Sequence, residues 1–119
     1  MNNTNTNDTN TETKTKEENG RELWKTLHLR AYNHKGGDDS AFIREFTNSI
    51  PQYMTGCKCS EHWNKWLVYN RPRFDTRYYF AWTVKAHNAV NYKLRKKQLT
   101  LAEAEAEIIK CMQQMQDQK

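Results

Sequence analysis

Cysteine, proline and glycine are all scarce in this chain of 119 residues, which holds three, two and four of them. Three cysteines are too few for the disulfide framework of a small secreted domain and suit one pair plus a spare. So few prolines and glycines leave long stretches without a helix breaker. No apolar run approaches the ~20 residues of a membrane span. The apolar core of a signal peptide and the Arg-rich amphipathic character of a transit peptide are also missing. These absences lead to the expectation of a soluble protein retained inside the cell. Period-two alternation of the kind strands need is absent too, and no internal repeat occurs.

One segment lacks apolar residues altogether. "MNNTNTNDTNTETKTKEENG" has none after Met1. Such a stretch cannot bury enough surface to offset the entropy of ordering, so residues 1–19 are expected to form a disordered tail and residues 20–119 one domain. The four Trp, six Tyr and four Phe all fall in that domain, so its few core residues are large. The tail holds four acids and two lysines, which leaves the domain more basic than the whole chain's net +5. That charge suits nucleic acid, a dinucleotide phosphate or an acidic partner.

What is present is helical periodicity. "NGRELWKTLHLRAYNHK" predicts a first helix with Asn19 as N-cap and Glu22 as its capping-box partner; Trp24, Leu27 and Ala31, with Leu23, form its apolar stripe. After "GGDD", Asp39 caps a second helix with Phe42, Ile43, Phe46 and Ile50 on one face, ending before Pro51. "CKCSEHWNKWLVYN" fits a short third helix around Trp63, Trp66 and Leu67. Asp75 caps the fourth and longest helix, and Thr100 with Glu103 caps a fifth. The fold class is an all-α bundle with short connections.

The apolar stripes also carry polar residues. Phe80, Thr83, Val84, His87, Val90, Asn91 and Leu94 share one face of the fourth helix, with Asn88 beside it; His28 lies one turn after Trp24. Each buried polar group costs roughly 1–3 kcal/mol unless it is hydrogen-bonded. Two histidines and an asparagine in one small core suggest a planar, polar guest that needs both stacking surfaces and hydrogen bonds, with Trp24 and Trp82 available to stack.

These residues also carry a resemblance. "GRELWKTLH" resembles the Gly-Arg-x-x-Trp-x-x-Leu-His opening of the Erv/ALR flavin-dependent sulfhydryl oxidases, and "WTVKAHNAVNYKL" resembles their Trp-x4-His-Asn-x-Val-Asn-x-Lys-Leu signature. The likeness covers residues 20–97. It implies a four-helix bundle with a short fifth helix and FAD at the bundle's mouth, contacted by Arg21, Trp24, His28, Trp82, His87, Asn88, Asn91, Lys93 and Lys96. It also implies a thiol oxidase that forms disulfides in dithiol protein substrates, passes electrons to molecular oxygen and yields hydrogen peroxide. A homodimer is implied; the lack of a spanning apolar run speaks against a membrane partner, and nucleic acid is the less favoured partner of the basic residues. Compact members occur in large DNA viruses, so host cytoplasm or a virion is an expected location.

The cysteines depart from the family pattern. Its active site is Cys-x-x-Cys at a helix start, where the dipole lowers a thiol pKa, whereas this chain reads "GCKCSEHW". By resemblance Cys59 matches the second cysteine and Cys57 replaces the first, one position late. Residues i and i+2 of a continuous helix point to nearly opposite sides, so the pair can close only in a non-helical turn, which Gly56 permits. The resulting expectation is that Cys57 and Cys59 are the catalytic pair. Other readings stay open: a catalytically degenerate descendant acting as a structural or binding protein, for example in a phage or virus particle; a zinc half-site of Cys57, Cys59 and His62; and a single-strand binder using Arg71, Arg73 and Arg77 among Tyr69, Tyr78 and Tyr79. Cys111 reads as buried or as a dimer contact.

Overall fold

The structure, a computed structural model, describes residues 15–53 and 59–117. Five helices account for most of them: α1 (Lys16–Tyr32), α2 (Ser40–Tyr53), α3 (Cys59–Tyr69), α4 (Thr76–Lys93) and α5 (Leu101–Asp117). Among the described residues there is no strand, and no helix is long and apolar enough to cross a membrane. The all-helical fold agrees with the periodicity. Packed centrally, α1 lies against α4, α2 and α5, while α3 bridges α2 and α4.

The first helix starts earlier than the sequence suggests. Its N-cap is Thr15, not Asn19: Thr15 Oγ1 accepts from the Glu18 amide at 3.0 Å, and Glu18 accepts from the Thr15 amide at 2.9 Å. Both Thr15–Glu18 and Asn19–Glu22 have capping spacing, and the earlier pair gains another turn of helix. The second helix runs through Pro51 to Tyr53 instead of stopping before the proline. Near a helix end, Pro51 removes only one ladder bond, to the carbonyl four residues earlier.

Asp39 precedes α2 as expected, but its carboxylate does not cap the helix. It is buried, accepting two 2.8 Å hydrogen bonds from Arg30 and one of 2.6 Å from Tyr79. The neighbouring Asp38 instead accepts from the Ser40 amide at 2.9 Å. Asp75 sits at the N-cap of α4, yet its side chain makes no capping bond and pairs with Arg73 at 3.1 Å. At α5 the Thr100–Glu103 pair is reciprocal, as the spacing predicts.

Two turns depend on left-handed backbone. Gly36 and Gly37, between α1 and α2, have φ of 110° and 94°, a region costly for residues with a Cβ. After α4 the chain makes a Schellman turn, with the Lys96 amide donating to the Asn91 carbonyl and the Arg95 amide to the Tyr92 carbonyl. Its left-handed residue is Arg95, at φ 60°.

The core is mainly aromatic. Trp24, Phe46, Trp63, Tyr79, Phe80 and Trp82 are buried with Leu27, Ile43, Ile50, Val84, Val90 and Ile108. Trp63 donates its indole N–H to Thr47 Oγ1 and Trp82 donates to the Asn70 carbonyl, both at 2.8 Å, so these rings lose no hydrogen bond on burial.

Candidate cofactor site

The periodicity of α1 and α4 brings His28 and His87 face to face, 59 positions apart in sequence. Their rings are joined through His28 Nε2 and His87 Nδ1 at 2.9 Å. On the inner side, His28 Nδ1 lies 2.9 Å from Thr83 Oγ1, and the Thr83 hydroxyl donates to the Phe80 carbonyl at 2.6 Å. On the outer side, Trp24 stacks on His87 with ring centroids 4.3 Å apart and planes only 4° from parallel. Phe46 and Trp63 meet Trp24 edge-on from behind, at 4.8 and 6.0 Å.

Burial governs the charge of this pair. It holds His28 down to about 4 and, with the neighbouring His28 and Lys96, holds His87 down to about 3. Both imidazoles are therefore neutral near pH 7, as desolvation of a cation requires.

Trp24, His28 and His87 form one wall of a cavity of about 570 Å³ between α1, α4 and α5. Leu99, Ala104 and Ile108 supply apolar surface opposite, Cys111 joins them, and Arg21, Lys25 and Lys110 stand on the rim among Glu18, Glu22 and Glu107. The volume falls within the range of pockets that enclose organic ligands.

The site residues named from the sequence separate into groups. Arg21, Trp24, His28 and His87 come together at the cavity. Asn91 is buried one turn beyond His87, while Lys93 and Lys96 are exposed near the end of α4. Asn88 is held elsewhere: its amide nitrogen donates to the Leu99 carbonyl at 2.7 Å, and its oxygen accepts from the Leu99 amide at 2.8 Å, fastening the α4–α5 connection. Trp82 lies with Trp63, Trp66 and Tyr79 on the side facing α3 and does not line the cavity. Cys57 lies outside the described residues; Cys59 opens α3, with its side chain outside them. Half-buried Cys111 is a free thiol. The sequence placed Thr83 on the buried stripe, but its link to His28 had no signal, because nothing local joins residues 55 apart.

The helical bundle thus presents a buried indole and a neutral histidine pair to one cavity, whose rim mixes three cations with three carboxylates. The Erv1 / Alr family model matches residues 21–115, and the chain belongs to that family. Among curated proteins and solved structures no match is found.

Proposed function

We propose that the chain is an FAD-linked thiol oxidase, forming disulfides in dithiol proteins and passing the electrons to molecular oxygen. The observation that carries this reading is the Trp24–His87–His28 wall of the cavity in a chain of the Erv1 / Alr family. What supports the cofactor is the edge that the neutral histidines turn to the cavity beside apolar Leu99, Ala104 and Ile108, with Lys25 and Lys110 available to a pyrophosphate on a rim they share with Glu18, Glu22 and Glu107. When bound, FAD would supply two-electron redox chemistry, accepting electrons from thiols and yielding them to oxygen as hydrogen peroxide.

The chain's own part is thiol exchange and orientation. A substrate thiolate attacks the Cys57–Cys59 disulfide at Cys57, forming a mixed disulfide and freeing the Cys59 thiolate. The second substrate thiol then attacks the mixed bond, releasing oxidised substrate and the Cys57 thiol. Cys59 opens α3, and the positive end of that helix favours a thiolate. Re-forming the disulfide from the Cys57 thiol and the Cys59 thiolate would release two electrons and one proton, which is the chemistry that FAD, held by the Trp24, His28 and His87 wall, would be there to accept. Trp24 and the neutral histidines exclude water and hold the ligand without adding a buried charge.

Oxygen consumption with dithiothreitol tests the assignment. Purified protein should consume oxygen and produce hydrogen peroxide, Cys57→Ser and Cys59→Ser should abolish this while retaining flavin, and Cys111→Ser should keep most of it. A flavin-loaded wild type that consumes no oxygen would leave the family fold without the oxidase activity. Loss of a tightly bound zinc ion in both serine variants would make the pair a metal half-site instead.

A further inference from the structure

The tryptophans of the chain form one connected set that runs from the cavity to the surface. Trp24 stands on the cavity wall, and Trp63 meets it edge-on with ring centroids 6.0 Å apart. Trp66 stacks on Trp63 at 5.6 Å with the planes 26° apart. Trp82 borders both, 6.2 Å from Trp63 and 5.8 Å from Trp66. Centroid separations of this size belong to aromatic rings in contact, and an electron passes readily between π systems that touch.

The rings differ in the fate of the indole proton. An indole N–H only donates, and it becomes strongly acidic when its ring loses an electron. The Trp63 N–H is held by Thr47 Oγ1 at 2.8 Å, and that hydroxyl donates in turn to the Ile43 carbonyl at 2.9 Å. The Trp82 N–H is held by the Asn70 carbonyl at 2.8 Å. Neither a hydroxyl nor an amide carbonyl is basic enough to take the proton. Half-buried Trp66 is placed otherwise: its N–H has no hydrogen-bond partner among the described residues and is not one of their fully buried atoms.

We propose that these rings are an electron-transfer ladder between the flavin site and solvent, with Trp66 as its exit, which gives the protein a light-driven charge separation besides thiol oxidation. The inference rests on the FAD reading above. Trp24 lines the cavity and Trp63 lies one helical turn beyond Cys59 on α3, so the ladder borders both the cavity and the helix that carries the thiol. Blue light turns a bound oxidised flavin into a one-electron oxidant. One electron leaves the nearest indole for the cofactor, and each indole is refilled by the next until the vacancy reaches Trp66. There the N–H proton passes to water and leaves a neutral radical, so the return of the electron must wait for a proton. Tyr79 borders Trp82 at 6.5 Å but makes a poor end to the ladder. Its hydroxyl donates to Asp39, whose carboxylate the Arg30 guanidinium holds below the usual range and so makes a weak base.

The test is transient absorption after a blue flash on FAD-loaded full chain without thiol, following the neutral indole radical. The radical in wild type should outlive any in Trp66→Phe by about tenfold or more, while Trp66→Phe, outside the cavity, keeps its FAD. A second measurement needs no cofactor: in flavin-free protein the Trp66 indole N–H should exchange with deuterated water faster than those of Trp63 and Trp82. Absence of the radical in FAD-bound wild type, an equally long-lived one in Trp66→Phe, or a Trp66 N–H as slow to exchange as that of Trp63 overturns the inference and leaves the FAD reading intact. Folded wild type that binds no FAD overturns both.

Discussion

Tyr79 donates a 2.6 Å hydrogen bond to Asp39, the carboxylate that also grips Arg30 through two oxygens. One buried acid thus joins the end of α1, the start of α2 and the first turns of α4. Tyr79→Phe removes a bond to a charged acceptor and should cost about 1.5–3 kcal/mol; Asp39→Ala should cost more, because it removes all three bonds. Urea unfolding of the two variants checks the order.

This carboxylate also sets an acid limit. Its hydrogen bond to Arg30, and then that to Tyr79, hold Asp39 below the usual carboxylate range. Because its folded-state pKa is depressed, its contribution is fully present above the ordinary value near ~3.9 and is lost as pH falls below it. In Asp39→Asn, the part of the acid unfolding below about pH 4 that comes from this group should disappear.

The histidine pair acts at higher pH. With folded values of about 4 for His28 and about 3 for His87, against 6.5 for an ordinary histidine, the unfolded chain binds more protons throughout that interval. Stability is therefore complete above 6.5 and falls on acidification, by up to about 1.4 kcal/mol per pH unit for each ring. Thermal midpoints from pH 7 to 5 should drop steeply in wild type and less in His28→Gln.

Arg95 offers a gain. A side chain in left-handed backbone costs roughly 1–2 kcal/mol, and glycine removes most of it. Arg95→Gly should raise stability by about 1 kcal/mol without changing helical content. No change or a loss in urea unfolding would show that the turn is held at no cost.

Asn88 should act on the connection alone. Asn88→Ala leaves both Leu99 backbone groups without their partner, so amide exchange across residues 94–104 should quicken while α1 to α4 keep their protection. Equal acceleration in α1 would contradict a local role.

Helix number and the main buried stripes were legible because 3.6-residue periodicity is a local property: Trp24, Leu27, Ile43, Phe46, Ile50, Trp63 and Val84 are buried where their spacing put them. The first helix start was not, because two capping pairs overlap and only the folded chain chooses between them. The role of Asp39 was hidden for a related reason. An acid before a helix reads as a cap, and its actual partners, Arg30 and Tyr79, lie on other helices. His28 and His87 could be suspected from their places on apolar stripes, but their pairing and the threonine behind them come from the packing of α1 on α4. Asn88 and Trp82 sit beside that stripe in sequence, yet one turns to the loop and the other to α3.

The most direct measurement of the central claim is FAD affinity in purified full chain, compared among wild type, His87→Ala and Trp82→Phe. The cavity between α1, α4 and α5 predicts that wild type binds stoichiometrically. His87→Ala should lose about tenfold or more in affinity while remaining helical, and Trp82→Phe, outside the cavity, should stay within about threefold of wild type. Folded wild type that takes up no FAD, or His87→Ala that binds it as tightly as wild type, would contradict the account.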